Sequence, residues 1–270
     1  MLTDITIGQY FPGDSLLHRL DPRVKVVLTV AYLVAVFVPQ NWYGLAAAVA
    51  FLFVTIALSK LPLKLITKSL KPILPVILLT AVLNVFYVSG GIEWHWWIFR
   101  VSSQGLITAA FLAVRILCLI AGSSLLTYTT GPTTLTDALE RLMKPLKVIK
   151  VPVHELSMMM TIALRFIPTL IEETDKIMSA QKARGADMES GGLMKRIKAM
   201  LPILIPLFAS SFTRAYDLAM AMECRCYHGG SGRTRMKSLH VAARDILAVA
   251  VMAALIGGII TLNVFVPAVI

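Results

Sequence analysis

At 270 residues, 57% hydrophobic and only 15% charged, the chain is too apolar for a soluble domain and reads as an integral membrane protein. A net charge of +11 would suggest nucleic acid in a soluble protein. Here the basic residues fall as the positive-inside rule expects, and no basic patch is interleaved with aromatics, so nucleic acid is excluded as a partner. The polar start, Met1 to Lys25, carries Asp4, Asp14 and Asp21 with Pro12 and Pro22, and no basic region leads into a cleavable apolar stretch. No removable signal peptide is expected.

Val24 to Val38 and Trp42 to Leu58 read as spans one and two, joined by the tight turn Pro39-Gln40-Asn41. Each is near the lower length limit for crossing the hydrocarbon, so flanking residues are expected to continue the helices. Lys60, Lys64, Lys68 and Lys71 follow at helical spacing and mark a cytoplasmic side. Ile73 to Val88 is the third span. A loop from Ser89 to Gln104 clusters Trp94, Trp96 and Trp97, which is the pattern of interfacial anchors on the outer side. Leu106 to Leu126 is the fourth span and holds Arg115 and Cys118. Arg115, a charge at membrane depth, faces an interhelix contact or a substrate-associated subunit, or else packs neutrally and snorkels to water.

The chain then leaves the lipid. Positions 132 to 240 contain 16 Lys or Arg and 10 Asp or Glu, as in an aqueous or interfacial insert whose basic excess favours the cytosol. The expected organisation is residues 1–126 as N-terminal membrane helices, 127–240 as a cytoplasmic or interfacial insert, and 241–270 as a last crossing, with the N-terminus inside and the C-terminus outside. Arg244 and Asp245, early in that crossing, are placed where an interface can solvate them. The apolar neighbourhoods 162–171 and 203–207 leave open a deeper penetration of the insert.

Within the insert, Leu135, Leu139, Leu142 and Leu146 recur at steps of four, three and four after Thr133-Thr134, which predicts an amphipathic helix over 135–149. Arg141, Lys144 and Lys147 lie on its polar side. His154 and Glu155 open a longer pattern through Met158, Met159, Ile162, Phe166 and Ile167, with Pro168 as a kink. It ends at Ala183-Arg184-Gly185, where glycine supplies a stop. A second stripe, Leu207, Phe208, Phe212, Leu218 and Met222, is expected to start after Pro202 and Pro206 and ends at Cys224-Arg225-Cys226 before Gly229-Gly230.

These two arginine triplets, 41 residues apart, are the informative repeat. Arginine's planar fork makes bidentate bonds to carboxylates and bridges carbonyls. Small neighbours admit such a tip into a groove, and Met158, Met159, Met160, Met178, Met188, Met220 and Met222 offer an adaptable surface. The bland alternative is that each arginine only caps its helix. Cys224 and Cys226 make an incomplete metal site, even with His228 two residues on. No P-loop, His-Glu-x-x-His or Gly-x-Ser-x-Gly signature is present. An ion-coupled secondary transporter would need polar groups at mid-membrane, where the spans offer little beyond Arg115 and Asn84. An intramembrane enzyme is the remaining alternative, and no dyad within a span supports it.

On these features, with Asp21-Pro22-Arg23 near the start, the sequence resembles the transmembrane T component of energy-coupling factor (ECF) vitamin transporters over nearly its whole length. The resemblance implies an all-α integral membrane protein of about five transmembrane helices plus long amphipathic cytoplasmic coupling helices, in a prokaryotic plasma membrane. It implies a non-catalytic scaffold that binds no cofactor itself. ATP and Mg would sit on two cytosolic ATP-binding cassette ATPases, which the chain joins to a small membrane-embedded substrate-binding S component for vitamin or micronutrient uptake. Ala183, Arg184 and Gly185, with Cys224, Arg225 and Cys226, would dock the ATPases. Leu135, Leu139, Leu142, Leu146, Met158, Met159, Ile162 and Phe166 would carry motion to the S component. The first triplet has the family form; the second keeps its arginine between cysteines.

Overall fold

The computed structural model describes residues 10–87, 93–96, 99–186, 192–230 and 240–266. Among the described residues, nine α-helices carry the fold: α1 Pro22–Phe37, α2 Trp42–Ser59, α3 Leu63–Leu70, α4 Leu74–Tyr87, α5 Ser103–Thr129, α6 Pro132–Leu142, α7 Val153–Ala183, α8 Leu193–Cys224 and α9 Ala243–Phe265. Between α4 and α5 the stretch expected to be a loop contains an antiparallel pair, β1 Glu93–Trp96 and β2 Phe99–Ser102, registered Glu93 to Ser102 and Trp96 to Phe99. Trp97 and Met188 lie outside the described residues.

Five helical segments are long and apolar enough to cross a membrane among the described residues: Trp42–Ser59, Leu63–Val85, Ser103–Thr129, Ile197–Cys224 and Ala243–Phe265. The protein is an all-α multi-pass membrane protein. These five differ from the expected set in one exchange, since α1 has only 16 residues while most of α8 qualifies. At 1.5 Å per residue α1 is about 24 Å long, short of a hydrocarbon core of about 30 Å. The flanks do not lengthen the first hairpin at its turn, because α1 stops at Phe37 and α2 starts at Trp42.

Two units are compact in themselves, one formed by Gly8–Ala138 with Ser238–Ile270 and the other by Leu139–Lys237. In the first, Tyr32, Val36, Leu52, Ile56, Cys118, Leu125, Met252 and Ile259 form a buried cluster shared by α1, α2, α5 and α9. Outward positions are equally apolar, for instance Phe53 at 66% and Leu247 at 68% exposure, as expected where the solvent is lipid.

The α1–α2 turn explains Arg115. This residue lies twelve positions into α5, about 18 Å from its start, and its Nη2 donates to the Pro39 carbonyl at 2.5 Å. Its guanidinium also sits 4.8 Å from the Phe111 ring centroid. Asn263 Nδ2 donates to the Val38 carbonyl (2.7 Å), and its Oδ1 accepts from the Gln40 amide (3.2 Å). Asn41 donates to the Leu262 carbonyl (3.0 Å) and caps α2 by accepting from Gly44 N–H (2.7 Å). Pro39 and Asn41 are almost fully buried, and buried non-helical backbone that water cannot reach must be satisfied by side chains. Arg115 is therefore an interhelix contact, holding a turn that reaches the middle of α5.

A second polar knot joins the start of α1 to the start of α9. Asp21 caps α1 by accepting from Arg23 N–H at 2.9 Å and pairs with the Arg23 guanidinium at 2.7 Å. Asp245 is 1% exposed, and its two oxygens accept from the backbone N–H of Asp21 (2.9 Å) and of Ala242 (2.7 Å). The expectation that an interface solvates Asp245 is thus corrected: two backbone donors replace the water. Arg244 beside it is exposed, as expected.

Candidate functional site

α6 ends at Leu142, not at residue 149. Pro145 cannot supply the amide that the helix needs, and residues Lys144–Ile149 form a 3-10 segment instead. Leu135, Leu139 and Leu142 remain half-buried on α6, while Leu146 falls off their stripe and is 40% exposed. On α7, Met158, Ile162 and Phe166 are half-buried and Met159 is 53% exposed.

α7 extends from Val153 to Ala183 with Pro168 inside it. The largest departure is α8, which begins at Leu193 and runs straight through Pro202 and Pro206. A proline at 206 removes the donor that the carbonyl of residue 202 would normally receive. Gln181 on α7 compensates, its Nε2 reaching the Pro202 carbonyl at 3.5 Å. Such cross-helix compensation is invisible to a local proline rule, and prolines are tolerated in apolar helices for this reason.

Among the described residues, contacts at three levels show how α7 and α8 pair. Gln181 meets Pro202, and Arg214 Nη2 bonds Glu173 Oε2 at 2.7 Å. Beyond the end of α8, Gly230 packs so tightly on His154 that an added Cβ would lie 2.3 Å from its ring. Residue numbers rise on one helix as they fall on the other, so the two run antiparallel. His154 Nδ1 in turn contacts Glu140 Oε1 at 3.2 Å, which ties the α7 start to α6.

Both arginines stand at the C-cap of their helices and are exposed. The backbone around them is the same motif twice. At the first, Gly185 N–H bonds the Lys182 carbonyl and Ala186 N–H the Gln181 carbonyl, both at 3.0 Å. At the second, Cys226 N–H bonds Glu223 (2.8 Å) and Tyr227 N–H bonds Met222 (3.1 Å). These are Schellman ends, in which the residue after the cap must be left-handed. Gly185 has φ +86° and Cys226 has φ +54°. The cysteine flank therefore leaves the backbone of the second tip equivalent to the first, at the steric cost of a Cβ in that region.

A direct consequence is that Cys226→Gly should stabilise this helix end by about 1 kcal/mol. Slower amide hydrogen exchange at Cys224 to Tyr227 would report it; unchanged or faster exchange would count against the strain. Cys224 and Cys226 are both free and exposed, and among the described residues no three His, Cys, Asp or Glu side chains converge on a metal site.

The arrangement has an approximate two-fold character. Glu173 precedes Arg184 by eleven residues, and its partner Arg214 precedes Arg225 by eleven. From that ion pair each helix carries its arginine about 16 Å away, in opposite directions because the helices are antiparallel. The tips are thus on the order of 30 Å apart. What results is a bar with an exposed arginine at each end.

The family model described as CbiQ, cobalt transport protein, matches residues 13–236. An energy-coupling factor transporter transmembrane protein EcfT of Clostridium kluyveri is 55% identical over 250 residues, covering 92% of this chain and 93% of the relative. The chain belongs to this family of T components. The EcfT proteins of Acidaminococcus fermentans and Ruminiclostridium cellulolyticum are 52% and 50% identical, covering 94% and 92% of the chain and 95% and 92% of their own lengths. The chain is accordingly the transmembrane coupling component of an ECF-type ABC importer and a non-catalytic one. Membership also implies association with ECF ATPase and S-component subunits.

Proposed function

We propose that Arg184 and Arg225 dock one cytosolic ATPase each, and that the α7–α8 bar passes the closing of the ATPase pair to a substrate-binding S component. The observation that carries this reading is the pair of matching Schellman tips placed symmetrically about the Glu173–Arg214 bridge. Two related ATPases present two similar grooves, and a bar with two similar ends complements them. Ala183, Gly185, Cys224 and Cys226 would then serve as the small flanks that admit each guanidinium.

Coupling is mechanical in this reading. Half-buried Leu135, Leu139, Leu142, Met158, Ile162 and Phe166, with exposed Leu146 and Met159, form the surfaces that shift under the S component. Residues 127–240 act as the coupling region between membrane helices 1–126 and 241–270. By the positive-inside rule that region and the N-terminus face the cytoplasm of a prokaryotic plasma membrane, with the C-terminus outside. The cargo is a vitamin or related micronutrient, chosen by the S component.

Purification of the full chain from its native membrane in mild detergent tests the assembly. Two ATPase polypeptides and a small hydrophobic subunit should co-elute with it. Recovery of a lone oligomer that supports ion-coupled uptake without ATPases would sink the proposal.

A further inference from the structure

A partly open cavity of about 290 Å³ lies among α1, α2, α5 and α9, with Leu17 and Leu20 of the preceding segment along its edge. Tyr32, Phe51, Leu52, Leu125 and Met252 make its apolar walls. Its charged groups are confined to one end, because Lys25 and Arg244 lie in the first turns of α1 and α9. From Arg244 to Met252 the wall runs about 12 Å along α9, most of the depth of one leaflet of a hydrocarbon core about 30 Å thick.

The charges at that end are not equivalent. Arg23 is paired with Asp21, and both Asp245 oxygens are taken by backbone N–H groups. Lys25 directs Nζ to the carbonyls of His18 (3.2 Å) and Thr129 (3.1 Å) and to Thr130 Oγ1 (3.5 Å), which uses its three protons. Arg244 alone of these cations is exposed and makes no ion pair with a described residue. An open guanidinium above an apolar slot complements a phosphate on an acyl chain.

We infer that this cavity holds one acyl chain of an anionic phospholipid, with its headgroup phosphate bound by Arg244. The site is separate from the arginine tips and does not depend on their docking role.

Native mass spectrometry of the full chain, exposed in mild detergent to equal amounts of dioleoyl phosphatidylglycerol and dioleoyl phosphatidylcholine, tests this. One phosphatidylglycerol should be retained at least fivefold over phosphatidylcholine. Ala248→Phe, which fills the slot from α9, should cut that adduct at least fivefold, and Arg244→Gln should equalise the two lipids. Thr55→Phe fills the slot from α2 and replaces Ala248→Phe as the test if that variant does not fold. Equal retention of both lipids by the wild type, or undiminished phosphatidylglycerol on a folded filled variant, overturns the inference.

Discussion

Arg184→Ala and Arg225→Ala are each expected to abolish most ATP-driven uptake while leaving the chain inserted in the membrane. Each guanidinium projects from a helix end whose hydrogen bonds are made by backbone alone, so removing it leaves the Schellman geometry in place. What is lost is a charge-assisted fork at an interface, about 2–5 kcal/mol when its partner is left unpaired, or on the order of thirtyfold or more in association. Retention of the ATPases by the purified variant and substrate uptake by reconstituted vesicles are the two readouts. Wild-type values for both single variants would remove the docking model. Lysine at the same positions separates charge from shape, because a lysine keeps the cation and loses the bidentate plane.

A second large effect should follow from Asp245→Ala. The carboxylate is buried, and two backbone donors, from Asp21 and Ala242, point at it. Without it both N–H groups lose their acceptor, at about 1–3 kcal/mol each. The detergent-solubilised protein should therefore unfold roughly 5–15 °C earlier. Ile246→Val, next in sequence but 66% exposed, should shift the midpoint by no more than a degree or two. A midpoint for Asp245→Ala as close to wild type as that would show that the knot between α1 and α9 contributes little. Asp245→Asn is the graded case, since the amide keeps one acceptor oxygen and loses the charge.

Residues whose information is local were legible in the sequence. Gly185 announced a helix stop because only glycine adopts φ +86° without strain, and the α7 end lies where that residue puts it. The long apolar runs of α2, α5 and α9 were equally plain, because length and composition alone decide whether a segment suits lipid. Pro145 could have been read as the end of α6; the leucine spacing through Leu146 drew the helix too far because a period survives on paper where the backbone cannot continue. At Pro202 and Pro206 the same local rule fails in the other direction. The compensating donor, Gln181, comes from another helix.

The sequence by itself determined that this is a membrane protein with two arginine-tipped helices in a basic insert, since apolar length, charge bias and turn residues act within a few positions of themselves. Tertiary structure decided everything that depends on a distant partner. It spent Arg115 on the Pro39 carbonyl and Asp245 on the Asp21 amide, where numbering gives no hint that the groups meet. It also paired Glu173 with Arg214, and so set the two tips at opposite ends of one antiparallel bar. The physical reason is plainest for the first two, whose partners lie in nearly or fully buried surroundings. A buried polar group must find a partner wherever the fold brings one, and that requirement carries no sequence separation with it.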